Sequence, residues 1–442
     1  MAALYQFQER GKRYLASRER AILGDSMGLG KSPQAIAALD EVGAQSVLII
    51  TPASVRLHWQ RELERWSRTP RRVQVVTTAS EPIDPRAEVI IVSPALAVAP
   101  ATLEQLMARR YDALIADEAQ MFKAASAKRT QILYGRHCDG VGGLVERADR
   151  IWLLSGTIAP NSVAELWPHL RAFGLTWMTF EGFQHRFCAL RETKWGFVPI
   201  ANKNTAELRE LIRPVFLRRR PEDVLSDFPS VRAVTTPIEA DAGALLEDDP
   251  ALRPLRDALE SGDEATILAA ISRVSGDAVA ALRRRTGLAK LPGAVALCAE
   301  ELESDPTHKL VIFAHHRAVV RGLAEGLAEF GAVVLEGATP PAARQAAIDR
   351  FASDPQCRAF VANLIAGGTG ISLVAAAHVV VVEPSWVPSE NSQAIARCRR
   401  IGQQRGSVLA RFLAIPDSLD EGIAGVLARK AAMLAELEGV AA

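Results

Sequence analysis

Asp25-Ser26-Met27-Gly28-Leu29-Gly30-Lys31-Ser32 follows directly on the apolar run Ala21-Ile22-Leu23 and precedes the helix-like stretch Gln34-Ala35-Ile36-Ala37-Ala38-Leu39. Strand, glycine-rich turn, Lys-Ser and helix is the layout of a loop that cradles phosphate. Gly28 and Gly30 let backbone N–H groups converge on phosphate oxygens, and the helix N-terminus adds a favourable dipole. In that layout Lys31 reaches the outer phosphates and the Ser32 hydroxyl ligates magnesium. Asp25 stands where the strict form of the loop has Gly, so the stretch taken alone leaves a structural glycine turn open as the alternative.

Downstream, short β-rich runs alternate with helical patterns. Strands are expected at residues 46–51 (SVLIIT), 73–77 (VQVVT), 88–93 (EVIIVS), 113–116 (ALIA) and 150–155 (RIWLLS). Between the first two, Val55, Trp59, Leu63 and Trp66 recur at helical spacing. Such alternation argues for a parallel sheet covered by helices, and the apolar centres of the strands imply burial on both faces. Asp117-Glu118-Ala119-Gln120 follows the fourth strand, and acids at the carboxyl end of a parallel strand face the crevice where ligands bind. With a phosphate loop in place, Asp117 can hold the magnesium shell and Glu118 can orient and deprotonate an attacking water. Leu154-Ser155-Gly156-Thr157 ends the next strand in a hydroxyl-bearing turn.

From about Val231 to Thr307 the strand signal fades into an acidic, proline-marked stretch and Ala/Leu/Arg-rich helical sequence. Strands are expected again at 310–314, 332–335, 359–362, 379–383 and 408–413. The fold expected is α/β, two parallel-sheet lobes with a helical insertion between them. The expected domains are residues 1–230, a linker and insertion at 231–306, and residues 307–442. In the second lobe, Ala366-Gly367-Gly368-Thr369-Gly370 permits close backbone approach to a phosphate or sugar. Gln393 to Gln403 carries Arg397 and Arg400 three residues apart, which a helix would place on one face. Arginines so placed can neutralise charge on a transferring phosphoryl group.

The 442 residues are 23% charged and 49% hydrophobic, ordinary globular composition for two or three domains. A net charge of +1 advertises no overall positive field, so a nucleic-acid partner would be held by local patches such as Arg218-Arg219-Arg220 and Arg283-Arg284-Arg285. Arginine runs are otherwise solvated helix faces. The five cysteines form no Cys-x-x-Cys pair, which argues against a cysteine zinc site or a disulfide framework and fits a reducing, cytoplasmic setting. No run of about 18 apolar residues occurs, so no membrane partner is expected.

Together these segments resemble the superfamily-two helicase-like ATPases, specifically the Swi/Snf-type DNA translocases, over nearly the whole chain. Leu4-Tyr5-Gln6-Phe7-Gln8 followed by Gly11 is similar to their adenine-reading Q motif, with Gln8 as the reader. The Asp-x-Met-Gly-Leu-Gly-Lys-Ser form of the phosphate loop is theirs and accounts for Asp25. Pro52 with Trp59, Glu62 and Trp66 resembles motif Ia, Asp117-Glu118 motif II, and Leu154 to Thr157 motif III. Ala366 to Gly370 resembles motif V and assigns Gly370 to the nucleotide. Gln393 to Gln403, ending Arg-Ile-Gly-Gln, resembles motif VI and makes Arg397 and Arg400 arginine fingers. The stretches Ser155 to Leu166, Leu217 to Leu225 and Phe313-Ala314-His315-His316 look most like the fork-remodelling, annealing-helicase subgroup and its bacterial relatives.

Four positions depart from the family pattern: Gln120 and Arg399 stand where His is common, Ser372 where Asn is, and Ala396 where Asp is. The resemblance implies RecA-like lobes, ATP and magnesium as cofactors, and a monomer tracking along duplex or forked DNA without base reading. It further implies a bacterial or phage source. Two rivals stay open. One is a strand-separating helicase, which needs a splitting hairpin that the sequence does not reveal. The other is a DNA-binding scaffold with a decayed active site.

Overall fold

A computed structural model describes residues 3–437 except 161, 194–195, 241–249, 262–265, 268–269, 271–275, 368–370 and 417. The chain divides into two compact units, residues 3–226 and 227–437. Gly370 lies outside the described residues.

The first unit is built on strands β1 (Arg20–Leu23), β2 (Val47–Ile50), β3 (Val73–Val75), β4 (Val89–Val92), β5 (Tyr111–Asp117), β6 (Ala148–Leu154) and β9 (Phe216–Leu217). They form one parallel sheet in the order β3-β4-β2-β5-β6-β1-β9. Alternate residues feed two cores. Val47, Ile49, Ile115, Trp152 and Leu154 pack on one face with Trp59 and Leu63 of the helix α3 (Arg56–Trp66). Leu48, Ile50, Leu114, Ala116, Ile151 and Leu153 pack on the other. Every residue of β2 and β4 is buried, which is why these strands read as unbroken apolar runs. Burying such side chains contributes about 1.5–3 kcal/mol each. The helices α1 (Gln6–Ala16) and α2 (Lys31–Glu41) pack against each other in the same unit.

The second unit holds β10 (Ser230–Pro237), β11 (Leu310–Ala314), β12 (Val333–Leu335), β13 (Ala359–Asn363), β14 (His378–Val381) and β15 (Ser407–Ala414). Their order is β10-β15-β14-β11-β13-β12, again all parallel. The stretch read as linker and helical insertion is helical over Arg253–Ser261 and α4 (Gly276–Ser304), and it is built into this unit. Ala294, Cys298 and Leu302 of α4 join the core formed by Leu310, Ile312 and Val380. Buried Lys290 donates to Leu413 O at 3.0 Å and to Asp420 Oδ1 at 3.0 Å, tying α4 to the end of β15. Two further helices, α5 (Pro388–Ile395) and α6 (Leu419–Leu437), flank the same sheet.

Three elements are absent from the sequence reading. β9 has only two residues, too few for a period to register. β10 is an edge strand whose burial is partial, and Arg232 and its threonines mask the pattern. The third is an antiparallel hairpin, β7 (Cys188–Thr193) with β8 (Gly196–Asn202), separate from both large sheets. Pro199 inside β8 and a bulge at Ala189/Leu190 obscure its alternation. Among the described residues, no helix is long and apolar enough to cross a membrane.

Candidate active site

The phosphate loop joins β1 to α2. Gly28 (φ 85°) and Gly30 (φ 71°) adopt left-handed backbone that only glycine takes without strain. A Cβ on Gly30 would also stand 2.6 Å from Gln8 Nε2. Gln8 is buried, accepts from Tyr5 N–H at 3.0 Å and donates to Leu29 O at 3.0 Å. It therefore braces the loop, whatever it also reads of a base.

Asp25, fully buried, has a partner that the sequence did not reveal. Arg219 grips it with Nε on Oδ1 at 2.9 Å and Nη2 on Oδ2 at 2.5 Å. The same Nη2 donates to Gln34 Oε1 at 2.6 Å, and Gln34 Nε2 donates to Asp25 Oδ2 at 3.1 Å and Gly30 O at 3.0 Å. Arg219 Nη1 also donates to Phe7 O. The carboxylate thus ties loop, α1, α2 and the segment after β9 into one buried polar network, fully satisfied as such networks must be. Gly11 is required beside it, since a Cβ there would lie 1.8 Å from Gln34 Oε1 and 2.5 Å from Arg219 Nη2.

Lys31 Nζ donates to the loop carbonyls of Asp25 at 2.7 Å and Ser26 at 3.4 Å. Ser26 Oγ is buried without a hydrogen-bond partner. A cationic amine folded onto its own loop, an orphaned hydroxyl and a helix N-terminus fit a polyphosphate with its magnesium ion. Lys31 and the first N–H groups of α2 would hold the phosphates, with Ser32 and Asp117 at the metal. Bound magnesium would supply neutralisation of charge developing on the phosphoryl oxygens.

Asp117 closes β5. Its Oδ2 accepts from Trp59 Nε1 at 2.8 Å and Thr51 Oγ1 at 3.1 Å, and its Oδ1 from Glu118 N–H at 3.0 Å. Burial, joined by the neighbouring Glu118 carboxylate, pushes its pKa up to about 6 against those donors and the Lys31 charge. A cation beside it would reverse that push. Trp59 was legible as a helical apolar position and as part of the motif Ia resemblance, and its indole N–H turns out to orient the acid. Glu118 follows with a left-handed backbone (φ 50°), uncommon for a residue with a Cβ. Gln120 Nε2 donates to Glu118 Oε2 at 2.7 Å, Ser155 Oγ donates to Gln120 Oε1 at 2.6 Å, and Thr157 N–H donates to Ser155 Oγ at 3.1 Å. Hydrogen bonds therefore run unbroken from the acid after β5 to the turn after β6.

In the second unit, α5 ends at Ile395, so Arg397 and Arg400 lie in the turns beyond it and not on one helical face. Arg397 is buried, and its carbonyl accepts from Leu373 N–H at 2.9 Å. Gln403 Nε2 donates to Ala376 O at 2.8 Å and Cys398 O at 3.1 Å. These bonds fasten the arginine turn to the segment after the glycine-rich loop. Arg399 donates to Pro229 O at 2.7 Å and lies 4.9 Å from the Phe228 ring. At the end of β11, His315 N–H and His316 N–H each donate to Glu383 Oε2 at 2.9 Å, and His316 Nδ1 meets Glu383 Oε1 at 2.6 Å.

The SNF2-related domain model matches residues 7–242, more than half of the chain, and the helicase conserved C-terminal domain model matches residues 293–402. The chain belongs to the SNF2-related family. The second match sets a helicase-type C-terminal domain after the SNF2-related one. It is 29% identical over 445 residues to the mouse (Mus musculus) DNA annealing helicase and endonuclease ZRANB3, covering 97% of this chain and 40% of that protein. It is 28% identical over 441 residues to the Xenopus laevis SWI/SNF-related matrix-associated actin-dependent regulator of chromatin subfamily A-like protein 1, covering 98% and 44%. The chain thus spans less than half the length of these relatives. The Sulfolobus solfataricus SWI2/SNF2 ATPase core in complex with dsDNA aligns at 22% identity with a TM-score of 0.46, over 95% of this chain and 89% of that one.

Within this family pattern the Gln120 departure keeps a bridge, because a carboxamide, like a neutral imidazole, can donate on one side and accept on the other. Gln120→Ala should lose about 1.5–3 kcal/mol of support for Glu118, a hydrogen bond to a charged group, or about tenfold to hundredfold in kcat. Gln120→His should retain turnover within a few-fold. Steady-state ATP hydrolysis of both variants checks this, and equal rates for Ala and wild type would remove Gln120 from the machinery.

Proposed function

We propose that this chain is an ATP-driven translocase on double-stranded or forked DNA. It couples hydrolysis to DNA remodelling, strand annealing or protein displacement. The observation that carries the reading is the hydrogen-bonded chain Glu118–Gln120–Ser155–Thr157. It connects the water-activating acid to a strand-end turn, a path by which nucleotide state leaves the site. Lys31, Ser32 and Asp117 hold ATP and magnesium, Glu118 takes the proton of the attacking water, and Arg397 and Arg400 neutralise the transferring phosphoryl group. Gln8, Gly28, Gly30 and Gly370 complete the nucleotide contacts. The decayed-scaffold reading is disfavoured by the intact Lys31 and Glu118.

DNA as the partner rests on the family resemblance and on the relatives' names, since net charge gives no lead. Two arginines of the candidate patches are engaged internally: Arg219 on Asp25 and Arg283 on Pro384 O. Arg284 and Arg285 are exposed. Few phosphate contacts then set affinity, and log affinity should fall with log salt at a slope near −0.9 per contact, with little dependence on base sequence. We read the protein as a monomer acting in the cytoplasm or on the nucleoid.

ATP turnover compared without nucleic acid and with single-stranded, duplex and forked DNA and RNA, at one salt concentration, tests the proposal. Duplex or forked DNA should stimulate most, and equal rates in all five end the translocase reading. The β7–β8 hairpin, with Phe197 48% exposed, favours a second reading as a strand-separating helicase. Stimulation by single strands alone, together with strand displacement that is lost on shortening the hairpin, would select it.

A further inference from the structure

Away from the nucleotide site, the second unit gathers two imidazoles on one carboxylate. Glu301 lies in the last turn of α4, His308 in the turn that follows, and His378 is the first residue of β14. His308 Nε2 is 2.8 Å and His378 Nδ1 2.6 Å from the same oxygen, Glu301 Oε1. The three candidate donor atoms all lie within 4.8 Å of one another. The other carboxylate oxygen, Oε2, is paired with Arg411 Nη1 of β15 at 2.9 Å. The two rings meet edge to face, with centroids 4.4 Å apart.

We propose that Glu301, His308 and His378 form a binding site for one borderline transition-metal ion, with zinc as its occupant. Two nitrogens and one carboxylate oxygen are the donor set such ions prefer, and imidazole ligands discriminate against magnesium and calcium. Ligand bonds of about 2.0–2.2 Å set tetrahedral donor atoms about 3.3–3.6 Å apart, so each imidazole nitrogen has to draw back from Oε1 by about 0.5–1 Å. Arg411 provides the support that ligating carboxylates characteristically have, fixing Glu301 through one oxygen and leaving the other for the metal. His308 and His378 also line a surface cavity of about 520 Å³, which gives an ion entry and leaves room for a water as fourth ligand. The competing account is a metal-free cluster in which both imidazoles simply donate to Glu301.

Cobalt(II) and zinc(II) titrations of the full-length, EDTA-stripped protein in excess magnesium separate the two accounts. One equivalent of cobalt should develop the intense visible absorption of a four-coordinate site, zinc should abolish it by displacement, and zinc should raise the melting temperature. His378→Asn and His308→Gln place an amide N–H close to the Nδ1 and Nε2 they replace. Both variants should therefore melt like the metal-free wild type while failing to develop the cobalt band. Absence of the band in wild type, its persistence in both variants, or equal stabilisation of wild type and variants by zinc would overturn the site.

Discussion

Replacing Lys31 by Ala is expected to remove ATP turnover while leaving nucleotide-free DNA binding close to that of the parent protein. Lys31 stands at the first helical position after a loop whose glycines are held in left-handed backbone. Its ammonium reaches back to the Asp25 and Ser26 carbonyls, and in the proposed function phosphate oxygens take their place. Loss of one preorganised donor to developing charge costs about 2.7–4 kcal/mol, or roughly 10²–10³-fold in rate. Only 1.36 kcal/mol is needed for tenfold. The exposed Arg284 and Arg285 belong to the other unit, so an altered loop leaves them as they are. Retention of more than about a tenth of wild-type kcat, tenfold being 1.36 kcal/mol, would remove Lys31 from phosphate binding. A parallel loss of nucleotide-free DNA binding would show instead that DNA contacts extend to the first unit.

Most of the two sheets was legible because their strands are buried on both faces. Val47 to Ile50 and Val89 to Val92 carry no polar residue, and the two-residue alternation between cores is hidden inside uniformly apolar runs. Elements at sheet edges were not legible: β9 is too short, β10 is only partly buried, and the hairpin carries Pro199. In the site, residues local to a motif, such as Lys31, Asp117 and Glu118, could be proposed directly from the sequence. Partners brought from afar could not. Trp59 lies 58 residues before Asp117, and neither its apolar spacing nor its place in motif Ia points to that acid as its partner. The Glu301, His308 and His378 cluster is likewise assembled by topology, since β14 brings His378 to the end of α4 from 77 residues away. The arginine turn shows the opposite error. A three-residue spacing fits a helix, yet α5 stops at Ile395 while Leu373 N–H takes the Arg397 carbonyl.

The Asp25–Arg219 pair bears the second large expectation. Arg219 is 194 residues from Asp25 in sequence, yet it meets a carboxylate that is 0% exposed, in a two-pronged grip shared with Gln34. Burying the pair costs desolvation, so its net worth against an apolar replacement is small, but breaking it by removing one partner strands a charge. Arg219→Ala is therefore expected to destabilise the first unit by about 3–5 kcal/mol. Arg219→Lys should recover only part of this, because an ammonium cannot form the fork. Asp25→Asn combined with Arg219→Leu should restore most of the stability, since no buried charge is left alone. Turnover should respond differently. The network fixes the loop against α1 through Gln34, Gly11 and the Phe7 carbonyl, so the double variant, though folded, should keep a raised KM for ATP. Denaturant unfolding of the first unit's transition, set beside ATP saturation curves, reads both effects. Wild-type stability in Arg219→Ala would mean that Asp25 reaches solvent or another cation. Full recovery of KM in the double variant would make the network a stabilising device and not a positioning one.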